Sequence, residues 1–307
     1  MNDFNFHRMT PDDFERYQKY YQASGTLLTD LTFSCRMAWD PVFRTEITYC
    51  EDCCLMISDG GNFTDPHLLM PLGSPDSFCM NRLLQKAEEE FIKRGWKLKV
   101  MCIEESKMSL FESLPDYEAD LTYTDSASDY VYDADALRSL AGNVLHKKRN
   151  HVNRFLRMYP NYQYRRLCSS DMDRCLELVR IWCASKAIDP DDYNESDYRM
   201  IEQLFLHYDR LALRGGLIEI NGSVKAFSIG SLGNGNTAFI HFEKGDAEID
   251  GIYAAINRLT LENEFPEASF VNREEDMGIA GLRQSKQSYD PILLRRKYRT
   301  WPINRKM

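Results

Sequence analysis

Residues 217–243, LIEINGSVKAFSIGSLGNGNTAFIHFE, decide the fold class of this chain. They contain three apolar stretches of strand length, separated by residues that favour turns. Asn221-Gly222 predicts a tight hairpin between the first two strands, and residues 233–236 predict the next turn. We therefore expect an antiparallel meander here, followed by a helix over about 250–264 and a strand over about 268–272.

The same order of elements occurs in the first part of the chain. An amphipathic helix begins after Thr10-Pro11, and strands follow over about 46–58 and 66–72. A helix over about 75–94 then leads to a strand over about 97–103. An order of elements that repeats at a spacing of roughly 150 residues indicates duplication. We predict an α/β (α+β) fold in two similar halves, each with a mixed, mostly antiparallel sheet flanked by helices.

The boundary between the halves is expected in the polar stretch over 118–130. At 307 residues the chain is long enough for two domains of ordinary size. We therefore predict domains over 1–125 and 126–307, with the working groove in the second. A single mixed α/β domain is the alternative.

The composition indicates a cytoplasmic protein. The start of the chain, MNDFNFHRMT, lacks the basic and apolar regions of a secretory signal, and no window reaches the roughly 18–20 apolar residues of a membrane span. Nine cysteines, an odd number, are scattered through apolar runs, as in a reducing compartment. Cys50, Cys53 and Cys54 are clustered, but a zinc site needs about four ligands and no second pair follows. We read them as part of a buried strand and predict no metal site.

The net charge of −9 argues against a general nucleic-acid binder, yet the basic residues are concentrated in two segments. Residues 145–157 contain five Lys or Arg and no acid, and residues 283–306 contain eight with a single acid. One interpretation is two solvated faces. The other is that both segments converge on a phosphate-bearing ligand.

Three motifs carry a resemblance to a known family: LHKKRNHVNRF (145–155), NREEDMGIAGLRQSKQSYDP (272–291) and LLRRKYR (293–299). With the order of elements, they resemble the bacterial DUF2156 family, which is related to the C-terminal catalytic domain of phosphatidylglycerol lysyltransferases. The resemblance covers nearly the whole chain. It implies a duplicated GNAT fold, shared with the Fem-type transferases that move amino acids from aminoacyl-tRNA.

The first motif is expected on a continuous helix over about 135–159. Lys147, His151 and Arg154 recur at helical spacing and form one stripe beside its apolar face. Together with Lys148 they are predicted to bind an anionic substrate in a groove between the halves, because no acid is mixed among them. A solvated face is the alternative.

The second motif follows the last strand at its carboxyl end, where α/β sheets usually carry ligands. Its predicted substrate-binding residues are Asn272, Arg273, Arg283 and Tyr289. By position, Lys286 is similar to the lysine of an F-K-x-x-F-like element in the Fem and lysyltransferase relatives, although serine precedes it here.

The predicted chemistry is attack of an amine or hydroxyl on an activated carbonyl. Lys286 or Arg283 would stabilise the oxyanion or hold the donor's phosphates. Glu274 or Asp276 would accept the proton or hold an ammonium group; the alternative for these acids is a salt-bridged loop. Lys286, Glu274 and Asp276 are thus the predicted catalytic residues. His241, in FIHFE, is interpreted as a packed strand histidine rather than a base.

The loop before the predicted helix at 250 bears on the donor. GNAT acetyltransferases hold the CoA pyrophosphate there with a glycine-rich loop, but EKGDAEIDG (243–251) has four acids and one lysine. Its carboxylates would repel a pyrophosphate and suit the free amine of an aminoacyl donor. We therefore predict aminoacyl-tRNA, or another phosphate-bearing donor, as the co-substrate, with no resident cofactor.

The acceptor stays open, and so does peripheral contact with a membrane. Two alternatives to an aminoacyl-tRNA-dependent transferase remain. One is a transferase of acyl groups from acyl-CoA to amines, with an atypical pyrophosphate loop. The other is a degenerate, non-catalytic GNAT pair that binds a nucleotide, RNA or a protein.

Overall fold

The computed structural model describes residues 4–50, 52–61, 64–192, 196–300 and 303–306. The chain forms two compact units. The first comprises Met1–Ser128 with Arg295–Met307, and the second comprises Asp129–Leu294. Each unit is a mixed sheet flanked by helices, as predicted.

The first unit contains helices that cover one sheet and a small two-stranded ribbon. Its helices are α1 (Phe14–Ser24), α2 (Phe33–Ala38), α3 (Asp40–Phe43), α4 (Ser77–Lys93) and α5 (Met108–Glu112). Its strands are β1 (His7–Arg8), β2 (Glu46–Cys50), β3 (Cys53–Ser58), β4 (His67–Leu69), β5 (Leu72–Gly73), β6 (Val100–Glu104), β7 (Tyr117–Glu118) and β8 (Leu121–Thr122).

The second unit repeats this plan on a sheet whose central strands are longer. Its helices are α6 (Ala134–Ser139), α7 (His146–Met158), α8 (Met172–Ser185), α9 (Tyr198–Leu206), α10 (Ile252–Glu264) and α11 (Ala280–Gln287). Its strands are β9 (Asp129–Asp133), β10 (Gln163–Arg166), β11 (Arg214–Ile220), β12 (Ser223–Gly233), β13 (Thr237–Gly245), β14 (Phe270–Asn272) and β15 (Leu293–Arg295). The chain then returns to the first unit with β16 (Lys297–Thr300) and β17 (Asn304–Arg305).

The strand orders show why the last segment belongs to the first unit. The first sheet runs β1-β2-β3-β4-β6-β16-β8, with β5 beside β3, so β16 lies between β6 and β8. The second sheet runs β10-β11-β12-β13-β14-β9-β15. The predicted domain over 126–307 therefore differs from the structure over its last residues, because β16 hydrogen-bonds to the first sheet.

The meander over 217–243 forms as expected, with β11 and β13 antiparallel to β12 on either side. Helix α10 packs across it, and Ile252, Ala255 and Ile256 are fully buried against Ile218 and Ala226. Strand β14 then runs parallel to β13. This β13–α10–β14 crossover fixes the two strand ends that carry the candidate site.

The helix predicted over 135–159 is wrong as a single element. It is interrupted between α6 and α7, where Leu140 has a φ of 50° and Gly142 a φ of 79°. The Arg149 guanidinium donates to the carbonyl oxygens of both residues, at 2.5 and 3.1 Å. The left-handed residues turn the chain, so α7 has its own start and its own orientation.

No helix within the described ranges is long and apolar enough to cross a membrane.

Candidate functional site

Strands β13 and β14 separate at the point where the second motif begins. Their parallel pairing ends with Phe239 opposite Asn272, while β13 continues to Gly245. Past this point the side chains of His241 and Glu243, from β13, face residues that follow β14. The opening between two parallel strands is where α/β sheets commonly bind ligands.

A β-bulge places His241 in this opening. Pairing between β12 and β13 passes from Ile229–Phe242 to Gly230–Ile240, so His241 is the extra residue of the bulge. Its Nδ1 lies 3.1 Å from Oε1 of Glu274, and its Nε2 lies 2.9 Å from Oγ of Ser231. The imidazole is therefore held on both sides between a carboxylate and a hydroxyl.

Glu274 is the member of this trio that solvent reaches. Its side chain is 26% exposed, against 2% for His241. Burial raises the pKa of Glu274 above its ordinary value, although the bond to His241 opposes the rise. A carboxylate with a raised pKa is a stronger base near neutral pH. The arrangement can thus take up a proton at Glu274.

The backbone around Glu274 is strained and held from several sides. Its φ is 60°, in the left-handed region that few side-chain-bearing residues adopt. The Asn272 side-chain oxygen accepts its N–H at 2.8 Å, and its carbonyl oxygen accepts the N–H of Tyr130. Asn272 itself is fully buried, and its predicted place in substrate binding stays a prediction. Strain of this kind persists only where the surroundings fix it.

Lys286 also holds this turn. Its Nζ donates to the carbonyl oxygens of Arg273 and Glu275, the residues on either side of Glu274, at 2.5 Å each. The side chain is buried on α11, and that burial lowers its pKa to about 8. Lys286 therefore contacts the backbone of the turn with at least two of its donors.

Asp276 is engaged by three donors. Arg283 binds both of its oxygens, at 2.8 and 3.1 Å, and Tyr130 and Gly278 each donate one further bond. The Arg283 bond, aided by the Tyr130 and Gly278 bonds, holds the pKa of Asp276 down to about 2. The Asp276 carboxylate therefore stays ionised, with both oxygens bonded. This arrangement corresponds to the alternative of a salt-bridged loop that the sequence left open for this acid.

Arg273 and Tyr289 lie together on the other side of the opening. The Arg273 guanidinium pairs with Glu243 at 2.5 Å, and its Cζ lies 4.6 Å from the centre of the Tyr289 ring. Lys148, from the first turns of α7, places its Nζ 4.0 Å from the centre of the same ring. Burial, with a smaller contribution from Arg273, lowers the pKa of Lys148 to about 8.

The other predicted residues of α7 do not reach this group. His151 Nδ1 and Arg154 Nη1 both pair with Asp250, at 2.9 and 2.6 Å, in front of α10. Lys147 is exposed, whereas its neighbour Lys148 is partly buried. The stripe of Lys147, His151 and Arg154 therefore lies apart from the group around Tyr289, and its role in binding an anionic substrate stays a prediction.

Three of the four acids in the loop over 243–251 pair with side chains from outside the loop. Glu243 pairs with Arg273, Asp246 with Lys225, and Asp250 with α7. Its predicted contact with the amine of a donor stays a prediction, and of its acids Glu248 is the exposed one for which no ion pair is described above. Gly251, at a φ of 85°, starts α10 directly beneath α7, and a Cβ there would lie 2.2 Å from the His151 carbonyl oxygen.

The structure thus brings Glu274, Lys286, Arg273, Tyr289 and Lys148 to one opening. Sequence reasoning ranked His241 low and missed Ser231 and Tyr130 altogether. The isolated histidine in FIHFE was the available signal, but the bulge that turns it toward Glu274 depends on pairing with β12. Ser231 is one of many serines in the chain, and only the register between β12 and β13 places it beside His241.

The comparisons with known proteins agree with this fold. The family described as phosphatidylglycerol lysyltransferase, C-terminal, matches the chain over residues 30–300. An uncharacterized curated protein of Mycoplasmoides gallisepticum, MYCGA3080, is 24% identical over 186 residues. That match covers 59% of this chain and 58% of the relative, so it spans less than two thirds of the relative's length.

Solved structures resemble the whole chain. A conserved protein of unknown function from Bacteroides thetaiotaomicron is 28% identical, with a TM-score of 0.89 over 96% of this chain and 98% of that one. The C-terminal DUF2156 domain of a protein described as a lysylphosphatidylglycerol synthetase, from Agrobacterium fabrum, is 13% identical, with a TM-score of 0.67 over 95% and 92%. FemX is 10% identical, with a TM-score of 0.65 over 96% of each chain. The last two likenesses show a shared fold.

Proposed function

Because this chain belongs to the phosphatidylglycerol lysyltransferase C-terminal family, we propose that it transfers an aminoacyl group from aminoacyl-tRNA to an amine or hydroxyl acceptor. Aminoacyl transfer is the activity that the family description names at a general level. That description also names lysine and phosphatidylglycerol, which makes lysyl-tRNA the first donor to test and phosphatidylglycerol the first acceptor.

The pair of His241 and Glu274 carries the proposal. The acceptor nitrogen or oxygen attacks the ester carbonyl, a new C–N or C–O bond forms, and the ester bond to the ribose breaks. Glu274 takes the proton that the acceptor loses, and the released ribose hydroxyl gains one in exchange. His241 holds Oε1 of Glu274, and Ser231 holds His241, so the base is oriented before substrate binds.

The exposure of the trio favours Glu274 over Ser231 as the group that meets substrate. Ser231 is 9% exposed and lies behind the almost fully buried His241, whereas a quarter of the Glu274 side chain is accessible. In a route through a covalent acyl-serine, Ser231 would have to meet the substrate and so be more exposed than Glu274. We therefore assign Ser231 a positioning role.

The surroundings of α10 support a donor other than CoA. A pyrophosphate at the start of this helix needs free backbone N–H groups and an open approach. The His151 carbonyl of α7 lies against Gly251, and Asp250 with its two partners lies beside it. The side chain of Asp246 also accepts the N–H of Glu248 in the preceding loop.

The other predicted residues keep proposed roles that follow from their contacts. Lys286 and Asn272 hold the turn that carries the base, and Arg283 with Asp276 fixes the segment leading to α11. Exposed Lys147 stays a predicted contact for RNA phosphates.

The test uses tRNA charged with radiolabelled lysine, and a mixed pool of charged tRNAs beside it. Each is incubated with the protein and with one of three acceptors: phosphatidylglycerol vesicles, free amines and short peptides. We expect label to move from tRNA into one acceptor at a rate that depends on the protein. Glu274→Gln is expected to lower kcat by about 10²–10⁴.

The matched control is Glu262→Gln. Glu262 is a partly exposed carboxylate on α10, paired with Arg258 on the same helix, and its loss should leave transfer unchanged. Transfer that is absent with every donor, together with saturable binding of acetyl-CoA near or below ~10 µM, would replace this proposal with CoA-dependent acyl transfer. Equal rates for Glu274→Gln and the wild type would remove Glu274 from the chemistry.

A further inference from the structure

A second buried carboxylate lies behind the turn that carries Glu274. Asp129 is the first residue of β9 and is fully buried. Strand β9 pairs with β14 and continues past its end, where the Tyr130 carbonyl accepts the N–H of Arg273 and the Tyr130 N–H donates to the carbonyl oxygen of Glu274. Asp129 therefore lies beside the strained turn, although the transfer chemistry described above gives it no part.

Asn272 joins Asp129 to Glu274. Its side-chain Nδ2 donates to Oδ2 of Asp129 at 2.9 Å, and its Oδ1 accepts the backbone N–H of Glu274 at 2.8 Å. An amide side chain has donors at one end and an acceptor at the other, whereas an ionised carboxylate only accepts. Asp129 therefore fixes which way round the amide lies. In the reversed amide, Oδ1 would face the acceptor oxygens of Asp129, and Nδ2 would face another donor, the N–H of Glu274.

The direction of this amide matters because Glu274 has a left-handed backbone. At a φ of 60° the residue keeps its conformation only while its surroundings hold it. Lys286 bonds the carbonyl oxygens on either side, and Asn272 bonds the N–H of Glu274 itself. In this conformation the Glu274 carboxylate meets Nδ1 of His241 at 3.1 Å. A reversed or displaced Asn272 would release the N–H and let the carboxylate turn away from His241.

The charges around the turn explain why an amide, and not a further acid, lies between the two carboxylates. Asp129 and Glu275 bring carboxylate oxygens within 4.8 Å of each other, and the charge of Asp129 adds to the rise in the pKa of Glu274. Burial lowers the pKa of Lys286, and these three acids oppose that fall, so its ammonium group offsets their charge. The Arg273 guanidinium is held in its own ion pair. A fourth carboxylate at position 272 would therefore lack a cation to offset it and a donor to bond it.

We propose that Asp129 is a positioning residue for aminoacyl transfer: it orients the Asn272 amide and thereby holds Glu274 in the conformation that meets His241. The inference rests on the proposed function, because it takes Glu274 to be the base. Asp129 is too deeply buried to touch substrate, and no bond to it forms or breaks in the reaction. The residue acts through two hydrogen bonds in series.

The test reverses donor and acceptor in this series of bonds. Asn272→Asp alone places two carboxylates against each other and adds an acid to the turn. Adding Asp129→Asn supplies a donor to the new carboxylate, whose second oxygen can still accept the N–H of Glu274, and it restores the number of acids. The matched control is Asn272→Asp with Glu275→Gln, which restores the number of acids but supplies no donor at position 129. Circular dichroism and thermal melts check that each variant is folded.

We expect Asn272→Asp to lower kcat about 10²-fold with little change in KM, because a misplaced reacting group costs on this order. The exchange of both residues should regain at least about tenfold of that loss, as two residues in direct contact are coupled. The control with Glu275→Gln should regain nothing. An exchange that is no more active than Asn272→Asp overturns the inference. Equal recovery in the control also overturns it, because the number of charges and not the bond would then be responsible.

A second measurement does not depend on activity. Proton NMR detects the Nδ1–H of His241 that is bonded to Glu274, and His241→Gln assigns its signal. The signal should be shifted or lost in Asp129→Asn and restored in the exchange. An identical signal in Asp129→Asn and the wild type overturns the inference, even where Asn272→Asp does not fold. Absence of transfer from every charged tRNA, with the expected NMR pattern intact, removes the proposed function while the hold of Asp129 on Glu274 stands.

Discussion

Lys286→Met tests whether a buried amine holds the turn that carries Glu274. Burial lowers the pKa of Lys286 from 10.5 to about 8. At about 1.4 kcal/mol for each pH unit, keeping this side chain charged at neutral pH costs about 3 kcal/mol. Its bonds to the Arg273 and Glu275 carbonyl oxygens offset this, since a hydrogen bond from a charged donor contributes about 1.5–3 kcal/mol.

The sign of the pH dependence follows from the direction of the pKa change. The pKa is lower in the folded than in the unfolded protein, so the unfolded chain binds more protons between pH 8 and 10.5. The free energy of unfolding of the wild type therefore gains up to about 3 kcal/mol from Lys286 as the pH rises through this range. The methionine variant lacks this gain, so its deficit relative to the wild type should grow between pH 7 and about pH 10.

The assay is urea unfolding at a series of pH values, followed by circular dichroism, for both proteins in parallel. Lys147→Met is the control, since that side chain is exposed and its deficit should stay constant. The variant should also lose transfer activity, because Glu274 is released from its strained conformation. A deficit for Lys286→Met that does not change with pH would refute a buried, charged Lys286.

Three further predictions follow from single contacts. Ser231→Ala removes the partner of His241 Nε2 and should lower kcat about tenfold without changing KM; an unchanged kcat in steady-state assays would contradict its positioning role. Asp276→Asn should lower the free energy of unfolding by at most about 2 kcal/mol at pH 7. The loss is smaller to the extent that solvent around the partly exposed Arg283 screens the ion pair. The loss should shrink as pH falls from about 4 to 2, because the pKa of Asp276 is lowered to about 2 in the folded state, and urea unfolding across that range checks it. Gly251→Ala should cost at least about 1 kcal/mol, because its Cβ would meet the His151 carbonyl, and an unchanged Tm would argue against this packing.

The order of elements could be predicted because each has a local signal. Asn221-Gly222 indicates a hairpin, and the apolar spacing in 250–264 indicates a helix with a buried face. Strand β9 (Asp129–Asp133), in contrast, was not predicted, because it begins in the polar stretch that was interpreted as the boundary between the halves. Its sequence, DYVYD, is buried because it pairs with β14, and that long-range partner cannot be read from five residues.

The sequence predicted which segments of the chain form the candidate site, but not which side chains in them contact each other. The 272–291 motif contains Glu274, Lys286, Arg273 and Tyr289, which the structure brings together. Which of Lys147 and Lys148 points inward depends on the rotation of α7, and the break at Leu140 and Gly142 sets that rotation. The role of Asp276 depends on Arg283, seven residues later, whose side chain returns across a turn of α11.

The position of β16 has a consequence for the order in which the protein folds during synthesis. The second unit is continuous in sequence, and all the strands of its sheet are present once residue 295 has been made. The first unit begins earlier, yet among the described strands β8 pairs in its sheet with β16 alone, and β6 has β16 on the side away from β4, so both pairings require Lys297–Thr300. We therefore expect the second unit to have its strands before the first unit does during synthesis. Residues 297–300, which follow the second unit in the sequence, then complete the first sheet.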